Sequence, residues 1–176
     1  LHWQQGRLKE AQQFYVQAAS VRPPSSALAQ EIGNCLRQTG EPAWAAEYYR
    51  SALAQDGGDR PDLIEAYASA LRQLQRLDEA EHALRFGAAA FPGRGGITWL
   101  LADILMETER WDEAEGWLAR TLTVAPTSAS AYYGLARLAV REGRPDEAAQ
   151  WLRTALRHHP YHAESLTLLH ELQSKR

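Results

Sequence analysis

The chain has 176 residues, about one domain's worth by length. Hydrophobic residues make up 45% and charged residues 23%, a balance that excludes both an intrinsically disordered chain and a membrane bundle. Lys plus Arg number 19 against 22 Asp plus Glu, and this net charge of −3 argues against a dedicated nucleic-acid binder, which carries a basic stripe.

Helical periodicity and the placement of breakers predict ten helices, near 7–21, 26–39, 42–55, 61–74, 77–90, 96–108, 111–124, 129–142, 145–158 and 163–174. Leu63, Ala66, Tyr67, Ala70, Leu71 and Leu74 show the i, i+3, i+4, i+7 spacing of a one-sided apolar face. Pro42, Pro61 and Pro145 fall where helices begin, where the missing N–H of proline costs nothing. Pro92, Pro126 and Pro160 fall just past helix ends. No apolar run approaches the roughly 20 residues that span a bilayer, so no direct membrane insertion is expected. The sequence opens at Leu1 without an initiator Met and reads as a fragment of a longer protein whose first unit is cut. The compartment stays open between bacterial cytoplasm and periplasm, since one cysteine fits both. In the final helix Leu166, Leu169 and Leu172 face one way and Glu164, Thr167, Glu171, Ser174 and Lys175 do not. That pattern suits a solvating cap and half of a further repeat equally.

The chain repeats itself. A turn followed by an acidic residue, with Trp44 standing in for it once, and an alanine recurs, with the alanine at Ala11, Ala45, Ala80, Ala114 and Ala148, spaced 34, 35, 34 and 34. Pro92, Pro126 and Pro160 are likewise 34 apart. The one extra residue falls in the loop Asp56-Gly57-Gly58-Asp59, where an insertion is cheap. Small residues at Gly33, Ala68, Ala102 and Ala136 let one helix approach its neighbour closely.

A period of 34 with W-x2-L-G-x2-Y, A-x3-F and P anchors resembles the tetratricopeptide repeat. The first half is carried by Ala29-x2-Ile32-Gly33-x2-Leu36, Ile64-x2-Tyr67-Ala68-x2-Leu71, Thr98-x2-Leu101-Ala102-x2-Leu105 and Tyr132-x2-Leu135-Ala136-x2-Ala139. The second half is carried by Ala45-x3-Tyr49, Ala80-x3-Leu84, Ala114-x3-Leu118 and Ala148-x3-Leu152. The resemblance implies an all-α, right-handed α-solenoid of antiparallel helix pairs, one domain over 1–176. Its repeats would lie at about 1–25, 26–60, 61–94, 95–128 and 129–162, with a C-terminal helix over 163–176. It implies a non-enzymatic scaffold that binds a protein or peptide segment in a concave groove. The alternatives are a spacer or docking segment of a bacterial exopolysaccharide or secretion assembly, and the regulatory domain of an enzyme. Homo-oligomer formation stays open.

Enzyme signals are thin: there is no P-loop, GxGxxG, GxSxG or HExxH, and no cofactor is expected. His158, His159 and His162 form one metal-like cluster, but Pro160 breaks the helix between them, so loop histidines are the expectation. Cys35 is expected buried and inert, and Gly93-Arg94-Gly95-Gly96 an inter-repeat turn. Phe14, Tyr48, Trp117 and Trp151 occupy equivalent places in the second helices, and packing against the adjacent helix is the simplest account of them.

The groove should be lined by residues between the anchors of each first helix: Asn34 and Arg37, then Glu65, Ser69 and Arg72, then Trp99, Asp103 and Met106, then Tyr133, Arg137 and Arg141. Trp, Tyr and Arg are the residue types that dominate binding hot spots. Trp99 and Tyr133 are 34 apart, as are Asp103 and Arg137, so an aromatic shelf beside a charged pair is expected on neighbouring helices. Chaperone-binding members of the family use a Lys, Asn, Asn, Lys, Arg clamp, but here Gln30 and Ala66 replace its first Lys and second Asn. The asparagine ladder of the sugar-transferase members is also absent, at Glu31, Ala66, Leu100 and Gly134.

Overall fold

The computed structural model describes residue 17, residues 24–57 and residues 59–174, so the helix expected over 7–21 and Phe14 lie outside it. Among the described residues there are nine α-helices and no strand. They are α1 (Ser26–Gln38), α2 (Pro42–Gln55), α3 (Pro61–Gln73), α4 (Leu77–Ala90), α5 (Gly95–Glu107), α6 (Trp111–Val124), α7 (Ala129–Arg141), α8 (Pro145–His158) and α9 (Ala163–Ser174). The chain parts into two compact units between Pro92 and Gly93. In the first, each helix packs on the next and α1 also touches α3; in the second, α7 touches both α5 and α9 besides its sequence neighbours. This is an all-α solenoid of helix pairs.

Helix ends follow the local chemistry. Pro42, Pro61 and Pro145 open α2, α3 and α8. Ser25 and Ser128 cap α1 and α7, each hydroxyl accepting from a backbone N–H three residues on. Each of α1, α3, α5 and α7 closes on a residue of positive φ: Gly40 (84°), Gln75 (58°), Glu109 (60°) and Gly143 (72°). The following N–H then donates five residues back, from Glu41 to Leu36, Arg76 to Leu71, Arg110 to Leu105 and Arg144 to Ala139, at 2.8–2.9 Å. This left-handed closure ends each of these helices one residue short of the sequence expectation at its C-terminus.

The cores are built by anchor residues pressed against small ones. In the first unit the ring of Tyr49 lies on Gly33, and a Cβ there would stand 2.6 Å from Cε1 of the ring. In the second unit Leu118, at the repeat position of Tyr49, closes on Gly134 of the following first helix, where a Cβ would stand 2.6 Å from Cδ2. Ala136 is fully buried in the core with Ala139, Ala148 and Leu152, and Gly134, two residues earlier, is a further close approach where Leu118 comes in. Thr98 and Thr121, both fully buried, pair their hydroxyls at 2.9 Å between α5 and α6. Leu168, Leu169 and Leu172 of α9 pack on Ala136, Ala139, Ala148 and Leu152.

The extra residue after α2 is tied down by polar groups. Arg60 donates to Asp56, to both oxygens of Asp62 and to the Gln30 side-chain carbonyl. Gln30 in turn donates to Asp62 at 3.0 Å, and Ser26 donates to Asp56. The starts of α1 and α3 are thereby cross-linked around the longer loop.

Candidate functional site

Helical spacing places Trp99 and Asp103 one turn apart on α5, and Tyr133 and Arg137 one turn apart on α7. Nη1 of Arg137 donates to Oδ1 of Asp103 across 2.8 Å. The Asp103 side chain is 8% exposed and that of Arg137 27%, so the carboxylate forms the floor and the guanidinium the accessible part. The guanidinium also lies 5.9 Å from the Tyr133 ring centroid. Burial pushes the Tyr133 hydroxyl pKa up; Arg137 opposes this, and the charges of Asp103, Glu164 and Glu171 add to it.

The expected charged pair is therefore formed, but the aromatic shelf is not. Trp99 is half-buried, with Cζ3 lying 3.1 Å from the position a Cβ would take on Gly134. Tyr133 turns toward His162, with centroids 5.9 Å apart and planes at 55°. Among the described residues no ring contact joins Trp99 to Tyr133.

Two expected groove residues are placed elsewhere. Met106 is buried, 2% exposed, and serves the core, because α5 carries a nearly all-round apolar surface from Leu101 to Met106. Arg141 lies over the ring of Trp111, 4.9 Å from its centroid, among the residues at the start of α6. Its position at the last turn of α7 lets it reach back to that indole in the preceding repeat.

In the first unit, Asn34, Arg37, Glu65, Ser69 and Arg72 are all half-buried on α1 and α3. Asn34 accepts the Tyr49 hydroxyl at 2.7 Å, so its amide is engaged by the core. Burial raises the Tyr49 pKa, and Arg37, beside the hydroxyl, pulls it the other way. Ser69 spends its hydroxyl on the Glu65 carbonyl at 2.8 Å. Nε of Arg37 is buried without a hydrogen-bond partner.

The other flagged residues resolve into separate roles. Trp151 stacks on Tyr132 at 5.9 Å and donates to Glu147, as expected of a packing aromatic. Trp117 carries the Arg120 guanidinium 5.1 Å above its ring. His158 stacks on Tyr132 at 5.8 Å, whereas His162 binds Ser165 at the start of α9. Among the described residues no group of three or more His, Cys, Asp or Glu could hold a metal ion, and no helix is long and apolar enough to cross a membrane. Cys35 is buried, which pushes its thiol pKa up.

Sequence reasoning missed the Arg141–Trp111 contact, the His162 cap and the close approach at Gly134. The last had a signal: Gly134 is a glycine inside an otherwise good helix pattern, which costs stability unless a neighbour needs the space.

Two family models described as tetratricopeptide repeat match residues 96–160 and 1–60. No curated protein matches the chain. Among solved structures, MamA is 18% identical, with 99% of this chain and 95% of that one covered and a TM-score of 0.77. The Pseudomonas aeruginosa pilF protein is 22% identical, with 99% and 79% covered and a TM-score of 0.77. YrrB, described as a TPR protein with an unusual peptide-binding site, is 20% identical, with 95% and 86% covered and a TM-score of 0.71. At these identities the likeness is one of fold.

Proposed function

The chain belongs to the tetratricopeptide repeat family, and from that premise we propose that it is a non-enzymatic scaffold binding a protein or peptide segment on its first helices. A protein-interaction scaffold is the general function that the repeats support. The finer reading puts the centre of binding at Trp99, Asp103, Tyr133 and Arg137. One observation carries it: Asp103 holds Arg137 at 2.8 Å while the guanidinium stays partly exposed beside Tyr133. An arginine held in place before binding loses less side-chain entropy on contact, and Arg and Tyr are common anchors. YrrB, a TPR protein with an unusual peptide-binding site, supports the reading by analogy. Asn34, Arg37, Glu65, Ser69 and Arg72 would form the first unit's own binding residues. With a net charge of −3, the partner is a protein or peptide and not a nucleic acid.

The test begins with peptides selected from a randomised library on the purified chain. Their affinities are then measured for wild type, Trp99→Ala, Tyr133→Ala and Trp117→Ala. A hot spot loses about 2 kcal/mol, or roughly 30-fold in Kd, on truncation. The Trp99 and Tyr133 variants should show that loss and Trp117→Ala should bind normally. The reverse pattern would move the binding face to the second helices.

A further inference from the structure

The first residue before each first helix occupies an equivalent place: Ser25, Arg60, Arg94, Ser128 and His162. At two of these a serine hydroxyl caps the helix, Ser25 accepting from Leu28 N–H at 3.4 Å and Ser128 from Ala131 N–H at 3.3 Å. His162 does the same work for α9 with its ring. Nδ1 accepts the Ser165 backbone N–H at 3.3 Å and meets the Ser165 hydroxyl at 2.8 Å. A nitrogen that accepts a backbone N–H carries no proton, so the ring proton of the docked helix is on Nε2. That side faces the Ser130 hydroxyl of α7 at 3.4 Å and a Glu164 oxygen at 3.5 Å.

We infer that His162 is a proton-sensitive cap, which holds α9 against α7 and α8 when neutral and loosens it on protonation. Imidazole is the side chain that takes up a proton between about pH 5 and 8. A proton on Nδ1 takes the acceptor from the Ser165 backbone N–H and sets a second donor against it, while the Ser165 hydroxyl, 2.8 Å away, turns from donor to acceptor. It also puts a positive charge at a helix N-terminus, the end where cations are unfavourable. The charged and titratable groups at the ring are Glu164 on α9 and Tyr133 on α7; toward α8 it is the backbone N–H of His162, not the ring, that donates to the His159 carbonyl at 3.1 Å. Glu164 attracts an imidazolium and so opposes the effect, but its side chain is 61% exposed and solvent screens it. It also faces Nε2, which is protonated in both forms. Ser165 is fully buried, so water cannot readily replace the lost acceptor. Leu168, Leu169 and Leu172 dock α9 on the second unit's core, so a weakened cap bares that apolar face. The inference stands on the cap geometry and does not depend on where a partner binds.

Amide hydrogen exchange on the whole chain tests it, read as protection factors that remove the intrinsic pH dependence. Between about pH 7.5 and about pH 5, protection across α9 should fall roughly fivefold or more. Protection across α7, capped by Ser128, should not change. His162→Ser copies the cap already used at Ser128, and should keep α9 protected at both pH values. If that variant failed to dock α9, His162→Asn offers a second non-titrating cap. Equal α9 protection of wild type at both pH values would overturn the inference. So would a pH-dependent loss that persists in a docked Ser or Asn variant, which would assign the titration to another group.

Discussion

Arg137 on α7 and Asp103 on α5 meet at 2.8 Å, two residues exactly one repeat of 34 positions apart. The pair links neighbouring first helices, and its two members differ in role: Asp103 is nearly enclosed and Arg137 is not.

That asymmetry sets the cost of breaking it. Arg137→Ala leaves a buried carboxylate without its arginine and should destabilise the chain by about 1–3 kcal/mol. Asp103→Asn keeps the shape and should cost less. A double-mutant cycle of Arg137→Ala with Asp103→Ala, followed by urea unfolding, should return a coupling of about 0.5–3 kcal/mol. Additive effects would mean that the pair is only a neighbourly contact. Binding assays on Arg137 variants therefore need their folded fraction measured alongside.

Gln75 and Glu109 hold positive φ at turns where Gly40 and Gly143 hold it in the sister repeats. A side chain in that region is strained, and glycine is not. Gln75→Gly and Glu109→Gly should each raise stability by about 0.5–1 kcal/mol despite the flexibility added to the unfolded chain. A fall in thermal midpoint for both would show that the strain is smaller than the entropy.

Two glycines in helices should respond in opposite directions to alanine. Gly134→Ala drives a Cβ to 2.6 Å from Leu118 and should cost about 1–3 kcal/mol. Gly116, exposed on α6 with nothing within 4 Å of its would-be Cβ, should gain about 0.5–1 kcal/mol. Thermal unfolding of the two single variants reads both signs.

Asp62 gives a pH prediction. The hydrogen bonds from Arg60, the larger influence, and from Gln30 hold its carboxyl pKa below the usual value, against an opposing push from burial. A depressed folded pKa contributes stability above the unfolded value, about 3.9, that is lost as pH falls through the folded one. Asp62→Asn should therefore lower the urea midpoint near neutral pH and shrink its drop on acidification to about pH 3. An unchanged drop would place the acid sensitivity elsewhere.

Much of the fold was legible because its determinants are local and repeat. The prolines at 42, 61 and 145 mark helix starts by chemistry that needs no partner, and the alanine at each 34-residue step marks the buried stripe. The pairing of Asp103 with Arg137 was legible for the same reason, since equal repeat positions lie side by side. What escaped depends on side-chain direction. Trp99 and Tyr133 share a repeat position, yet one ring tucks onto Gly134 and the other turns to His162. Arg141 and Met106 share the expected groove face by spacing alone, but one reaches the Trp111 indole and the other is enclosed. His162 looked like a loop histidine because only its register with Ser25 and Ser128 reveals a cap.

The binding site proposed above lies on the first helices of the second unit. Amide and indole chemical-shift mapping of the isotope-labelled chain, titrated with a library-selected peptide, tests it most directly. The largest shifts should fall on α5 and α7, at Trp99, Tyr133 and Arg137, with the Trp117 and Trp151 indoles nearly unmoved. Shifts concentrated on α6 and α8, with Trp99 and Tyr133 unmoved, would contradict it.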